Sequence, residues 1–141
     1  MKRILVALDG SPRAPKVIAA AVRLAEMSGA NLLLYHAIGV SPDLPREAWV
    51  EADSFADVLV RHARAGLEEL AKGVPPARLE GIVTSFASPR DGICDIAKER
   101  DVDLIVIGSH GFGGLDRVLG TVAAKVVNHA DRNVLVVRTA L

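Results

Sequence analysis

Leu104-Ile105-Val106-Ile107-Gly108-Ser109-His110-Gly111-Phe112-Gly113-Gly114 decides how this chain is read. Four apolar residues run without interruption and then stop at a loop with four glycines in seven residues. A short continuous apolar run suits a strand covered on both faces, as in a parallel sheet. Glycine has no Cβ, so backbone N–H groups in such a loop can approach an anion. The same sequence of events opens the chain, where Ile4-Leu5-Val6-Ala7-Leu8 ends in Asp9-Gly10-Ser11-Pro12.

Three further runs read as strands: Leu32 to Ile38, a weaker Leu79 to Phe86, and Val134 to Val137. Helical periods lie between them. Ile18, Ala21, Val22 and Ala25 share one face before a stop at Gly29, with a start expected near Pro15. Phe55, Val58, Leu59, His62, Ala63, Gly66, Leu67 and Leu70 form a long stripe that ends before Gly73 and Pro75-Pro76. Ile93, Ile96 and Ala97 mark a third helix, and Val122, Val126 and Ala130 a fourth. Regular alternation of strand and helix implies right-handed crossovers and a parallel sheet between two helix layers. The expected fold is a three-layer α/β/α sandwich forming one domain over residues 1–141. Ligands of such sheets bind beyond the carboxyl ends of the strands, where strand order reverses. The least regular segment is expected at residues 39–52, where Pro42 and Pro45 delay the second helix.

Composition narrows the function. The 141 residues are 50% hydrophobic and 24% charged, as in a globular protein, and 17 basic residues balance 17 acidic ones. Zero formal charge argues against nucleic-acid or anionic-membrane binding, and 4% aromatics against a base-stacking platform. A small anionic ligand held by backbone N–H groups remains compatible. Cys94 is the single cysteine, which suits a reducing compartment. No apolar run reaches the ~18 residues of a membrane span. The first apolar stretch stops at Asp9, too early for a signal peptide. A cytoplasmic location is expected.

Gly120-Thr121 opens the fourth helical stripe and offers unpaired N–H groups, a hydroxyl and the positive end of a helix dipole. With the 108–114 loop it makes a polyphosphate cradle. The loop lacks the Gly-Lys-Ser/Thr ending of a Walker A motif, and Asp116 stands where a Rossmann fingerprint needs glycine. A purely connecting glycine turn is the competing reading.

The chain resembles the universal stress protein family over nearly its whole length. The strand ending at Asp9-Gly10-Ser11, the Leu33-Leu34-Tyr35-His36-Ala37 strand, Asp103 to Gly111, and Gly120-Thr121-Val122 to Ala130 carry the resemblance. It implies a five-stranded sheet of order 3-2-1-4-5, similar to adenine nucleotide alpha hydrolases. It also implies the ATP-binding branch, marked by Gly-x2-Gly-x9-Gly-Ser/Thr. Gly108 and Gly111 fit that pattern, but eight residues rather than nine precede Gly120. By resemblance, Gly108, Gly111, Gly120 and Thr121 meet phosphate or ribose, with Ser109 and His110 beside them. Asp9 meets the ribose or holds Mg²⁺ indirectly, against a bland role as a turn cap. The backbones of Ala7 and Ala37 meet the adenine, and Val122 is a further contact. The implied ligand is ATP, or AMP or ADP in its place, with Mg²⁺.

The remaining candidates read as structural. His36 is expected to pack or bond locally, His62 to edge the core, and His129 to face a helix C-terminus. The histidines lack zinc-ligand spacing. Cys94 reads as a small buried residue, Lys125 as surface, and Trp49 has no specific task.

The expected function is nucleotide binding in stress response or regulation, with slow ATP hydrolysis at most, since no catalytic base is recognisable. The alternative is the same fold without nucleotide, acting as a dimeric interaction protein. Receiver, flavodoxin and ATP pyrophosphatase-like readings each lack their loop chemistry. A homodimer through Val134-Leu135-Val136-Val137 is expected, because that order leaves an apolar strand at the sheet edge. A client protein is expected but not identified.

Overall fold

The computed structural model describes residues 1–39, 52–109 and 119–139. Strands β1 (Arg3–Ala7), β2 (Asn31–Ile38), β3 (Leu79–Phe86), β4 (Leu104–Gly108) and β5 (Asn133–Val137) form one sheet of order β3-β2-β1-β4-β5. Every neighbouring pair is parallel. Among the described residues four α-helices connect them: α1 (Ala14–Ser28), α2 (Ala52–Ala71), α3 (Pro89–Glu99) and α4 (Thr121–His129). A 3₁₀ turn at Pro76–Arg78 leads into β3. This is the expected sandwich. Among the described residues no helix is long and apolar enough to cross a membrane.

The period of two along each strand divides the core. Ile4 and Val6 of β1 face a layer with Val17, Ile18 and Ala21 of α1 and Leu67 of α2. Leu5 and Ala7 face the opposite layer, with Ile93, Ile96 and Ala97 of α3 and Ala123 and Val126 of α4. β1 is central, pairing Leu5 with Leu33 on one side and Ile105 on the other. Ile4 to Ala7 are therefore apolar on both faces, which explains the uninterrupted run.

Helix limits follow local chemistry. Arg13 is the N-cap of α1, and proline in the first turn suits a position that lacks an intrahelical N–H bond. Gly29 ends α1 with φ 78°, its N–H reaching Ala25 O at 2.8 Å. The N-cap Ser88 Oγ of α3 accepts from the Asp91 N–H at 3.4 Å.

Three sequence expectations need correction. The α2 stripe is buried only at Ala63 and Leu67, while Phe55 and Val58 are half exposed. A helix of 20 residues is about 30 Å long and overruns strands of five to eight residues. His62 is exposed rather than at the core edge. Cys94 is only half buried, because Gly92, Ile93, Ile96 and Ala97 form the inward face of α3. Burial and the nearby Asp95, Asp131 and Asp91 carboxylates push its thiol pKa up, which disfavours the thiolate. His129 does sit in the last turn of α4, Nδ1 lying 2.7 Å from Lys125 O, and Lys125 is exposed. Trp49 and most of the 39–52 segment lie outside the described residues.

Candidate functional site

Strand order reverses around β1, whose neighbours are β2 and β4. A cavity of about 380 Å³ opens beyond the carboxyl ends of these strands. β1 and its exit supply Ala7, Leu8, Asp9, Ser11 and Arg13, β2 supplies His36 and Ala37, and β4 supplies Ile107 and Gly108. The start of α4 supplies Thr121, Val122 and Ala123. Segments 100 residues apart in sequence thus converge because parallel strands all end on one side.

Six of the ten expected site residues line this cavity: Ala7, Asp9, Ala37, Gly108, Thr121 and Val122. Gly120 adjoins it as the N-cap of α4. Its N–H is already engaged by Ser109 O at 2.8 Å, so it contributes a missing side chain rather than a donor. Ser109 is buried and is not among the lining residues. Its N–H bonds Val137 O, and its Oγ accepts from the Thr139 N–H at 3.2 Å. Those bonds tie β4 to the exit of β5. His110 and Gly111 lie outside the described residues, and so does the course of the shortened loop.

Asp9 does what a turn aspartate does: Oδ1 accepts from the Ser11 N–H at 3.0 Å. The same carboxylate lines the cavity. His36, also on the wall, has its pKa lowered, chiefly by burial; Asp9 opposes that depression and His62 adds to it. The neutral imidazole is favoured, so its ring nitrogens offer one donor and one acceptor.

Two helices begin at the cavity without a side-chain cap. Neither α1 nor α4 carries an acidic residue in its first turn, whereas α3 has Ser88 as cap and Asp91 behind it. At α1 the Ala14 and Lys16 N–H groups already reach Ser11 O and Arg13 O and Pro15 has none, so α1 brings its dipole alone, while the first turn of α4 brings N–H groups as well. That combination suits an anion. The apolar walls formed by Ala7, Ala37, Ile93 and Ile107 suit a flat, weakly polar group beside it.

Asp9 is the only carboxylate on the wall among the described residues, and no cluster of three metal-ligating side chains occurs among them. Mg²⁺ commonly takes one or two carboxylates and completes its octahedron with water and phosphate oxygens. Asp9 fits an ion of that kind brought in with a polyphosphate.

Sequence reasoning missed Arg13, His36 and Thr139 as wall residues. His36 follows Tyr35 in an apolar strand, and only its place near the strand's carboxyl end could have signalled it. Thr139 lies beyond β5, which gives no local hint. Arg13 stands four residues after Asp9, where a β1–α1 turn must carry it over the strand ends.

The sequence and the fold are matched elsewhere. Residues 1–138 match the Universal stress protein family. The chain is 33% identical to Universal stress protein A homolog 1 of Coxiella burnetii, with 96% of this chain and 95% of that one covered. The structure of universal stress protein UspA from Lactobacillus plantarum superposes with a TM-score of 0.81 at 28% identity, covering 97% of each chain. The universal stress protein from Archaeoglobus fulgidus in complex with dAMP is similar at TM-score 0.62 and 25% identity, covering 96% of this chain and 97% of that one. The family match over residues 1–138 and the 33% identity over almost the full length of both chains agree with the fold: this chain belongs to the universal stress protein family.

Proposed function

We propose that the protein is an adenine-nucleotide-binding module of the ATP-binding branch, acting in stress response or regulation in the cytoplasm. The observation that carries this reading is one cavity at the strand-order reversal, with Gly108 and Asp9 on its wall and two uncapped helix N-termini opening into it. The dAMP complex of the Archaeoglobus fulgidus relative supports the ligand class. In this reading the backbones of Ala7 and Ala37 border the adenine, and Asp9 meets the ribose and an Mg²⁺ carried by the phosphates. Gly108, Gly111, Gly120 and Thr121 border the phosphates, with Val122 closing one side. The first-turn N–H groups of α4 are the donors, since the Gly120 N–H is engaged. ATP is the favoured nucleotide because a chain of phosphates can run from the Gly108 strand end to the uncapped start of α4.

The same reading makes the protein a homodimer through β5. β5 is an edge strand of the sheet, and its Leu135 is 39% exposed. An apolar edge with free N–H and C=O groups pairs readily with a second copy. Val136→Pro removes a ladder donor and should shift sedimentation from dimer to monomer at tens of micromolar, an order typical of assays. A monomer before substitution refutes the dimer.

The nucleotide reading is tested by denaturing protein purified without added ligand, assaying the supernatant for adenine nucleotide, and titrating the stripped protein with ATP and Mg²⁺. Neither release nor binding would leave the alternative, a dimeric interaction protein of the same fold.

A further inference from the structure

Two buried side-chain polar atoms have no hydrogen-bond partner among the described residues: Arg13 Nε and Thr139 Oγ1. Both residues line the same cavity. Buried polar atoms are nearly always paired, and the exceptions call for an explanation such as a ligand or an ordered water. Thr139 is 1% exposed, so bulk solvent does not reach it. Its backbone N–H is fixed by Ser109 Oγ at 3.2 Å, and that holds the residue against the cavity wall.

Packing relates the two atoms. A Cβ built on Gly108 would lie 3.1 Å from Val17 Cγ2, 3.5 Å from Thr139 Cγ2 and 3.9 Å from Thr139 Oγ1. Val17 and Thr139 therefore flank Gly108. Arg13 precedes Val17 by four positions, one turn along the same face of the α1 segment. Arg13, Gly108 and Thr139 thus belong to one stretch of wall. Arg13 is the one Lys or Arg on that wall among the described residues. It caps a helix whose first turn has no acidic residue and no side-chain cap.

We propose that Arg13 and Thr139 form a subsite for a phosphate oxygen, on the α1 side of Gly108, that holds the phosphate chain of the bound nucleotide. A guanidinium donates only, and a hydroxyl donates or accepts, so the shared partner of both is an acceptor oxygen. A charged acceptor shortens and strengthens such bonds. The proposal rests on the nucleotide reading above and adds a selective element to it. Affinity should climb from adenosine through AMP to ATP, and Arg13 should set the slope of that climb.

The test compares the unaltered protein with Arg13→Met and Thr139→Val by calorimetry against adenosine, AMP, ATP and inorganic tripolyphosphate. Both replacements keep approximate shape and remove an unpartnered polar atom, so melting temperatures without ligand should not fall. Arg13→Met should weaken ATP and tripolyphosphate at least tenfold and leave adenosine within about twofold. Thr139→Val should weaken the same two ligands several-fold. Equal loss for adenosine and ATP, or no loss for either variant, overturns the subsite. Should the unaltered protein bind no adenine compound, the nucleotide reading falls by itself. The subsite is then judged on tripolyphosphate: binding that Arg13→Met abolishes upholds it, and absent or unchanged binding overturns it.

Discussion

The two ends of the sheet treat their polar groups in opposite ways. At the amino ends of the strands, Asp103 Oδ2 accepts from the N–H groups of Lys2 at 2.6 Å and Arg3 at 2.9 Å. The Arg3 guanidinium meets Glu80 Oε2 at 2.6 Å and also donates to Arg100 O. Arg132 Nη1 donates to Ala97 O at 2.7 Å and Val102 O at 3.0 Å, closing the C-terminal end of α3. At the carboxyl ends, Arg13 Nε and Thr139 Oγ1 have no partner among the described residues, and α1 and α4 start uncapped. One end satisfies its polar groups within the chain and fixes the register. The other engages much of its backbone but leaves Arg13 Nε and Thr139 Oγ1 without a partner among the described residues. Exposed ion pairs such as Arg3–Glu80 add little by themselves, so the lower end matters chiefly for the backbone groups it satisfies.

The largest expected effect concerns the floor beneath the open end. Gly92 in α3 packs against Tyr35, whose Oη lies 2.5 Å from Ser85 Oγ. A Cβ on Gly92 would overlap Tyr35 Oη and come within 3.1 Å of Ala87 Cβ. Gly92→Ala should cost about 1–3 kcal/mol in denaturant unfolding. Adding Tyr35→Phe should recover part of that loss by removing the overlapping hydroxyl. A Gly92→Ala protein of unchanged stability would show that the open end is loosely packed throughout.

Gly120→Val comes next. The φ of −59° and ψ of 157° at Gly120 are accessible to any L-residue, so the fold should tolerate the change. The new side chain would stand at the start of α4 and should weaken ATP binding more than tenfold, about 1.4 kcal/mol. Asp9→Asn keeps an acceptor for the Ser11 N–H, so it should spare the fold and reduce only the Mg²⁺-dependent part of the affinity. If both variants bind ATP in a calorimeter as the unaltered protein does, the ligand is not at this end.

Asp103→Asn probes the closed end. The Lys2 and Arg3 N–H bonds lower the Asp103 pKa below its ordinary 3.8. A carboxylate with a depressed folded pKa stabilises above its unfolded pKa, and the benefit fades as pH falls through the folded value. The melting temperature of Asp103→Asn should therefore lie below that of the unaltered protein at neutral pH. The gap should shrink under acid, and ATP affinity should not change. A loss of affinity would mean that the two ends are coupled.

The smallest effect is a pH response of the open end. His36 has a folded pKa below its ordinary 6.5, mainly through burial. Its contribution is fully present above pH 6.5 and is lost as pH falls through the lower folded value, because the unfolded chain then binds the proton more readily. His36→Asn should flatten the fall in melting temperature below neutrality. An unchanged slope would place the acid sensitivity elsewhere.

The sequence alone determined the sheet and its layers. Five apolar runs needed cover on both faces, and the helical periods between them supplied it. Parallel strands joined by right-handed crossovers leave few arrangements, and the family resemblance supplied the strand order. Asp9, Gly108 and Thr121 were legible as candidates because each ends a strand or starts a helix, where local chemistry is visible in the chain. Only the tertiary structure decided which polar groups are already engaged. Ser109 and Thr121 look alike as hydroxyls in glycine-rich surroundings, yet Ser109 is bound to the exit of β5 and Thr121 lines the cavity. Arg13 and Thr139 are 126 positions apart, and no periodicity joins them. Their common wall arises because the carboxyl ends of β1, β4 and β5 lie side by side, and pairing between strands is a long-range choice that no local pattern encodes.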